Sequence, residues 1–197
     1  MSAPTRFSQA VSEGDGIALI ARVESEHDAQ TAAGDGADAL LLRGGRQEVL
    51  DAIRAATSLP VLFHWDRAHG DQLAGADACL VDARGERDRD WLRHVHEQVG
   101  HSHEIALRVE DEDHLELALE EFDPEIVILA APHANGEAAI DEVLDLLPDV
   151  PAGKLAIAEV AVLARDDVAA LERAGIDGVI VDAGTVGALV GDEPPEV

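Results

Sequence analysis

The chain has 197 residues, 47% of them hydrophobic and 28% charged, which suits one domain able to bury its own core. Asp and Glu number 41 against 14 Lys and Arg, a formal charge of −27 with Lys154 the lone lysine; such a surface repels nucleic acid and anionic membranes, so neither is expected as a partner. One cysteine, Cys79, excludes an internal disulfide framework, and with no apolar stretch of about 18 residues and no cationic leader a cytoplasmic protein is expected.

From the N-terminus, Phe7, Ala10 and Val11 form a short helix or arm over residues 1–16, closed by Gly14 and Gly16. IALIAR (17–22) is the first strand, followed by a helix in SEHDAQTAAGDG that Gly34 and Gly36 terminate. ADALLLR (37–43) is the second, with RQEVLDAIRAAT as its helix, and LPVLFH (59–64) the third, with a brief helical stretch from Asp66 to Ala74. ADACLVD (76–82) precedes the helix DRDWLRHVHEQVG; HEIALRV (103–109) precedes EDHLELALEEF, where Glu110 and Asp111 suit a helix N-terminus. PEIVILA (124–130) leads into GEAAIDEVLDLL, and KLAIAE (154–159) into VLARDDVAALERAG. In that last helix Val162, Val168, Leu171 and Ala174 share a face, and Gly175 stands at the C-cap. GVIVD (178–182) is the eighth strand, and 187–197 an acidic C-terminal tail.

Eight short, nearly continuous apolar runs alternating with helices predict a parallel sheet buried on both faces. Eightfold alternation points to a compact (β/α)8 barrel forming a single domain over 1–197, as monomer or homodimer. An open doubly wound sheet is the alternative, weakened because no glycine-rich phosphate fingerprint follows the first strand.

The strand ends carry the functional expectation. Residues two apart share a face, and steps of two deliver Arg22, Arg43, His64, Asp82, Arg108, Glu159 and Asp182 to the C-terminal ends of seven strands, with Ala130 on the sixth. In such barrels that mouth holds the catalytic groups.

The segments LPVLFHWD, ALRVEDEDHLELAL and AEVAVLARDDVAALERAGIDGVIVD resemble the third strand, the fifth strand with its helix, and the Glu-Ser-Gly-Ile region with the last strand of indole-3-glycerol phosphate synthase. That family is a (β/α)8 carboxy-lyase of tryptophan biosynthesis, and the likeness can be followed from about Ile17 to Val186. The resemblance places the family's strand-three lysine at His64 and its strand-one lysine and glutamate at Ala21 and Leu19. It places the strand-five glutamate at Arg108, the strand-six asparagine at Ala130, and the strand-seven glutamate and serine at Glu159 and Val160. Ala161 and Asp182 stand where a phosphate cradle is implied, and a carboxylate there repels phosphate.

Three uses of the convergent ring stay open. In the first, Arg22, Arg43 and Arg108, with Asp82 and His133, bind a small anionic metabolite while His64, Glu159 and Asp182 perform acid–base chemistry. No cofactor is needed for it. In the second, His64, Asp82, Glu159 and Asp182 form an oxygen-rich site for Mg or Mn. In the third, arginines and carboxylates pair with each other and close the mouth of a non-catalytic barrel. His133, Asp66 and His69 lie at the same end, where Trp65 is either an apolar lid or a packing residue. His94 and His96 are expected at the surface, and His101 and His103 at the opposite end of the barrel. The acidic exterior reads as a solubility or salt-adaptation surface, or as an interaction face.

Overall fold

The computed structural model describes residues 6–14, 16–65, 74–83, 89–99, 103–161 and 164–190. Each apolar run pairs in parallel with the next, and the eighth returns to the first, closing the barrel expected from the sequence. The strands are β1 (Ala18–Val23), β2 (Ala39–Arg43), β3 (Val61–His64), β4 (Ala78–Asp82), β5 (Glu104–Val109), β6 (Ile126–Ala130), β7 (Leu155–Glu159) and β8 (Gly178–Asp182). The described helices are α1 (Phe7–Ser12), α2 (Glu26–Gly34), α3 (Gln47–Ala56), α4 (Arg89–Val99), α5 (Glu112–Glu121), α6 (Glu137–Leu146), α7 (Arg165–Ala174) and α8 (Val186–Leu189). The stretch expected as a helix after β3 falls mostly outside the described residues, as do Asp66, His69, His101 and Val162. So do residues 191–197 of the expected tail, while 187–189 belong to α8.

Alternation along the strands sorts the buried side chains into two layers. Ala18, Ile20, Leu41, Leu80, Ile128 and Ile180 are among those filling the lumen. The residues of opposite parity, including Leu19, Leu40 and Val179, pack against the helices in the larger outer layer. Phe7 and Val11 of α1 join the lumen cluster and stopper its lower end. Glu104, at the start of β5, holds that stopper by accepting from the backbone N–H of Ser8 at 3.0 Å and from its hydroxyl at 2.5 Å.

Three strands begin with the same device. Asp38, Asp77 and Asp177 stand immediately before β2, β4 and β8. Their backbone N–H groups donate to the carbonyls of Leu19, Val61 and Ala156 on the strands preceding or adjoining them. Their carboxylates accept from the N–H groups of those same residues, at 2.8, 2.7 and 2.7 Å. This explains why the sequence draws several strands too early: residues ahead of the ladder are apolar or tied across the barrel floor, yet precede regular pairing.

Helix ends follow ordinary capping chemistry. Ser25 and Asp111 are N-caps whose side chains accept from the N–H groups of Asp28 and His114. Gly175, at φ 100°, ends α7 in the left-handed conformation expected of it. Val168 and Leu171 of α7 are buried, whereas Ala174, expected on the same face, is exposed in the last turn.

The barrel mouth as candidate functional site

Register sets the mouth. Arg22 pairs with Asp182, Arg43 with His64, Asp82 with Arg108, and Ala130 with Glu159. Two of these neighbours are opposite charges on adjacent strands. The small side chain of Ala130, on β6, leaves the space through which Arg108 of β5 reaches Glu159 of β7. Their Nε–Oε2 contact is 2.5 Å.

Glu159 is the hub. Its Oε1 accepts from Arg22 at 3.3 Å and from Arg43, so all three arginines meet on one carboxylate. It is 7% exposed and Arg108 is 8% exposed. Arg22 also donates to Asp182 at 2.5 Å; Arg108 also pairs with Glu110 and lies 3.5 Å from Asp82, whose other oxygen is 3.0 Å from His64 Nε2. Three guanidiniums thus face four carboxylates. Burial pushes the Glu159 carboxyl up, but Arg108, Arg43 and Arg22 outweigh it and hold the group below its ordinary value. Burial likewise opposes the charge of Arg108, and Glu159, Glu110 and Asp82 reverse that, raising its affinity for the proton.

Beside this network lies an open cleft of about 330 Å³. The three arginines, Glu159 and Asp182 form its polar side, and Val160, Ala161, Ile180 and Val181 its apolar side. Asn135 and Thr185 add neutral polar groups. Arg43 is 38% exposed at its side chain, and the buried Nε of Arg22 has no hydrogen-bond partner. Arg43 therefore leaves donor capacity on the cleft side of the network.

The structure therefore gathers Arg22, Arg43, His64, Asp82, Arg108, Glu159 and Asp182 at one end, as strand parity predicts. His64 and Asp82 are not among the described residues lining the cleft, and His133 is exposed on the loop after β6 and does not line it either. His64, Asp82, Glu159 and Asp182 do not form a group able to hold a metal ion. Trp65 faces outward into the helix layer, with its ring 5.5 Å from that of Trp91 in an edge-on contact. It packs the barrel wall. His94 and His96 are exposed as expected.

Glu110, Asn135 and Thr185 were not legible as mouth residues. Glu110 reads as part of a helix N-terminus, but Asp111 takes the cap and leaves Glu110 to Arg108. Its position two residues beyond Arg108 was the available signal. Leu19 and Ala21, where the resemblance puts the family's strand-one glutamate and lysine, point into the outer layer; β1 presents Arg22 to the mouth instead.

No protein-family model matches the chain. It is similar over most of its length to curated proteins named indole-3-glycerol phosphate synthase. Identity is 31% over 183 residues with that of Variovorax paradoxus and 31% over 185 residues with that of an Acidovorax species. Each match covers 90% of this chain and 65% of the relative. With the Delftia acidovorans protein it is 33% over 144 residues, 70% of this chain and 53% of the relative. The chain thus spans less than two thirds of the length of the curated relatives it matches.

Proposed function

We propose that this barrel is a divergent relative of the indole-3-glycerol phosphate synthases that holds a small anionic metabolite at its mouth and has lost the carboxy-lyase reaction of tryptophan biosynthesis. One observation carries the reading. Glu159, the family position retained here, is spent as the common acceptor of Arg22, Arg43 and Arg108. A carboxylate so held, with its proton affinity lowered, is a poor general base. The positions that the resemblance assigns to the family's lysines are Ala21 and His64, and neither offers an ammonium group.

Complementation tests this directly. Expressed in a tryptophan auxotroph lacking its own synthase, the chain is expected not to restore growth; rescue would show that the family reaction persists. In parallel, a thermal-shift screen of small anions is expected to raise the melting temperature. If every anion leaves it unchanged, the mouth is a closed salt-bridge network and the barrel a scaffold.

The contact between His64 and Asp82 favours a second reading, in which the bound anion undergoes acid–base chemistry. A carboxylate 3.0 Å from His64 Nε2 orients the ring. Turnover on any ligand found should then fall by about 10²-fold or more in His64→Gln; undiminished turnover there eliminates the histidine from the chemistry.

A further inference from the structure

Building on the anion-binding reading, we infer that the cleft selects a small singly charged carboxylate with an apolar body, and discriminates against phosphate. The inference rests on charge and shape. Three guanidiniums line the cleft with Glu159 and Asp182, and Glu110 and Asp82 beside Arg108 bring the network to four carboxylates, so the mouth has no surplus of positive charge to spend on a second ligand charge. A monoanion needs only the local donors that Arg43 leaves unused. A dianion brings a second charge that meets Asp182, whose side chain is 71% exposed at the rim. The surrounding surface, at −27 over the whole chain, adds to that discrimination.

The donors fit a carboxylate. Arg43 engages Glu159 through one nitrogen and keeps its other N–H groups for a ligand. Guanidinium forks match the two oxygens of a carboxylate in plane. Val160, Ala161, Ile180 and Val181 give the rest of the molecule an apolar wall with no further charge to meet. At about 330 Å³ the cleft stands at the lower end of the range for small-molecule sites, so the body is small.

Calorimetric titration of the full chain with benzoate, hexanoate and inorganic phosphate at constant ionic strength tests this. Benzoate or hexanoate should bind, with phosphate at least about tenfold weaker. Arg43→Gln removes a half-exposed donor, and Ala161→Trp fills the cleft from an exposed position; each should weaken carboxylate binding about tenfold or more while the circular dichroism spectrum stays native. Asp182→Asn should narrow the gap between phosphate and carboxylate. Phosphate binding as tight as the carboxylates, no carboxylate binding at all, or binding undiminished in both Arg43→Gln and Ala161→Trp would overturn the inference. Growth rescue of the auxotroph bears only on the lost lyase reaction, so the two failures are distinguishable.

Discussion

At the scale of single residues, Glu159 and Asp182 show how unequal two mouth carboxylates can be. Both accept from Arg22. Removing the charge of Glu159 leaves three arginines facing one another in a half-closed space, so Glu159→Gln should cost about 3 kcal/mol. Asp182 sits in water, where such pairs are worth about 0–1 kcal/mol, and Asp182→Asn should be near neutral when both variants are unfolded in urea beside the wild type. The pH dependence follows from sign. Because Glu159 titrates below its ordinary value of 4.5, its stabilisation is present above that value and is lost as pH falls through the depressed one. Asp38 works the opposite way: burial raises its carboxyl above the usual 3.8, so its protonation favours the fold as pH falls through the raised value. The difference between wild type and Glu159→Gln isolates the first effect, and should shrink on acidification below about 4.5. A gap constant with pH would contradict it. Strand parity was enough to find Arg22, Arg43, Arg108 and Glu159. It could not tell which carboxylate becomes the hub, because that depends on the gap at Ala130 and on register between distant strands.

Among the elements, the aspartates ahead of β2, β4 and β8 do work that their surroundings in sequence conceal. GADA, GADA and GIDG precede three apolar runs, and each aspartate ties its turn to a neighbouring strand by a two-way contact. Asp177→Ala strands the N–H of Ala156 and should cost about 1–3 kcal/mol. Asp77→Ala also leaves Arg54 without its carboxylate, and should sit at the upper end of that span. A loss below a few tenths in both would show that water replaces the carboxylates. Gly178 is a second constraint on β8. A Cβ there would stand 3.3 Å from the Ala18 carbonyl oxygen and 3.3 Å from Ile20 Cδ1, so Gly178→Val should destabilise by about 1–3 kcal/mol through overpacking. Strand identity was legible from apolar runs, and helix identity from their periodicity. Strand starts were not, since Ala37, Leu59 and Ala76 are as apolar as the ladder they precede.

For the whole molecule, charge and fold act separately. The core has the two layers of any such barrel, while the chain as a whole carries 41 acidic residues against 14 basic ones, most of the described ones outside that core. Self-repulsion at −27 opposes compaction and is screened within about 10 Å at 0.1 M salt. Melting temperature should therefore rise with KCl between dilute buffer and about 1 M, where the screening length falls to about 3 Å. The buried contacts of Glu159 are less exposed to that screening, so Glu159→Gln should show a rise of similar size. A flat or falling profile would mean that the acidic groups are already balanced by local pairing. No described helix is long and apolar enough to cross a membrane.

The side chains packed in the lumen, with α1 beneath them, make the barrel solid below its mouth. With Phe7 and Val11 seated in the lumen below and Ser8 fastened to Glu104, traffic to the arginines has one door, and arrival and departure share it. Asp182 stands at the rim of that entrance, so the exchange rate of any bound anion should answer to changes there, while shortening the N-terminal arm should cost stability and open no second route, because the side chains packed in the lumen still fill it.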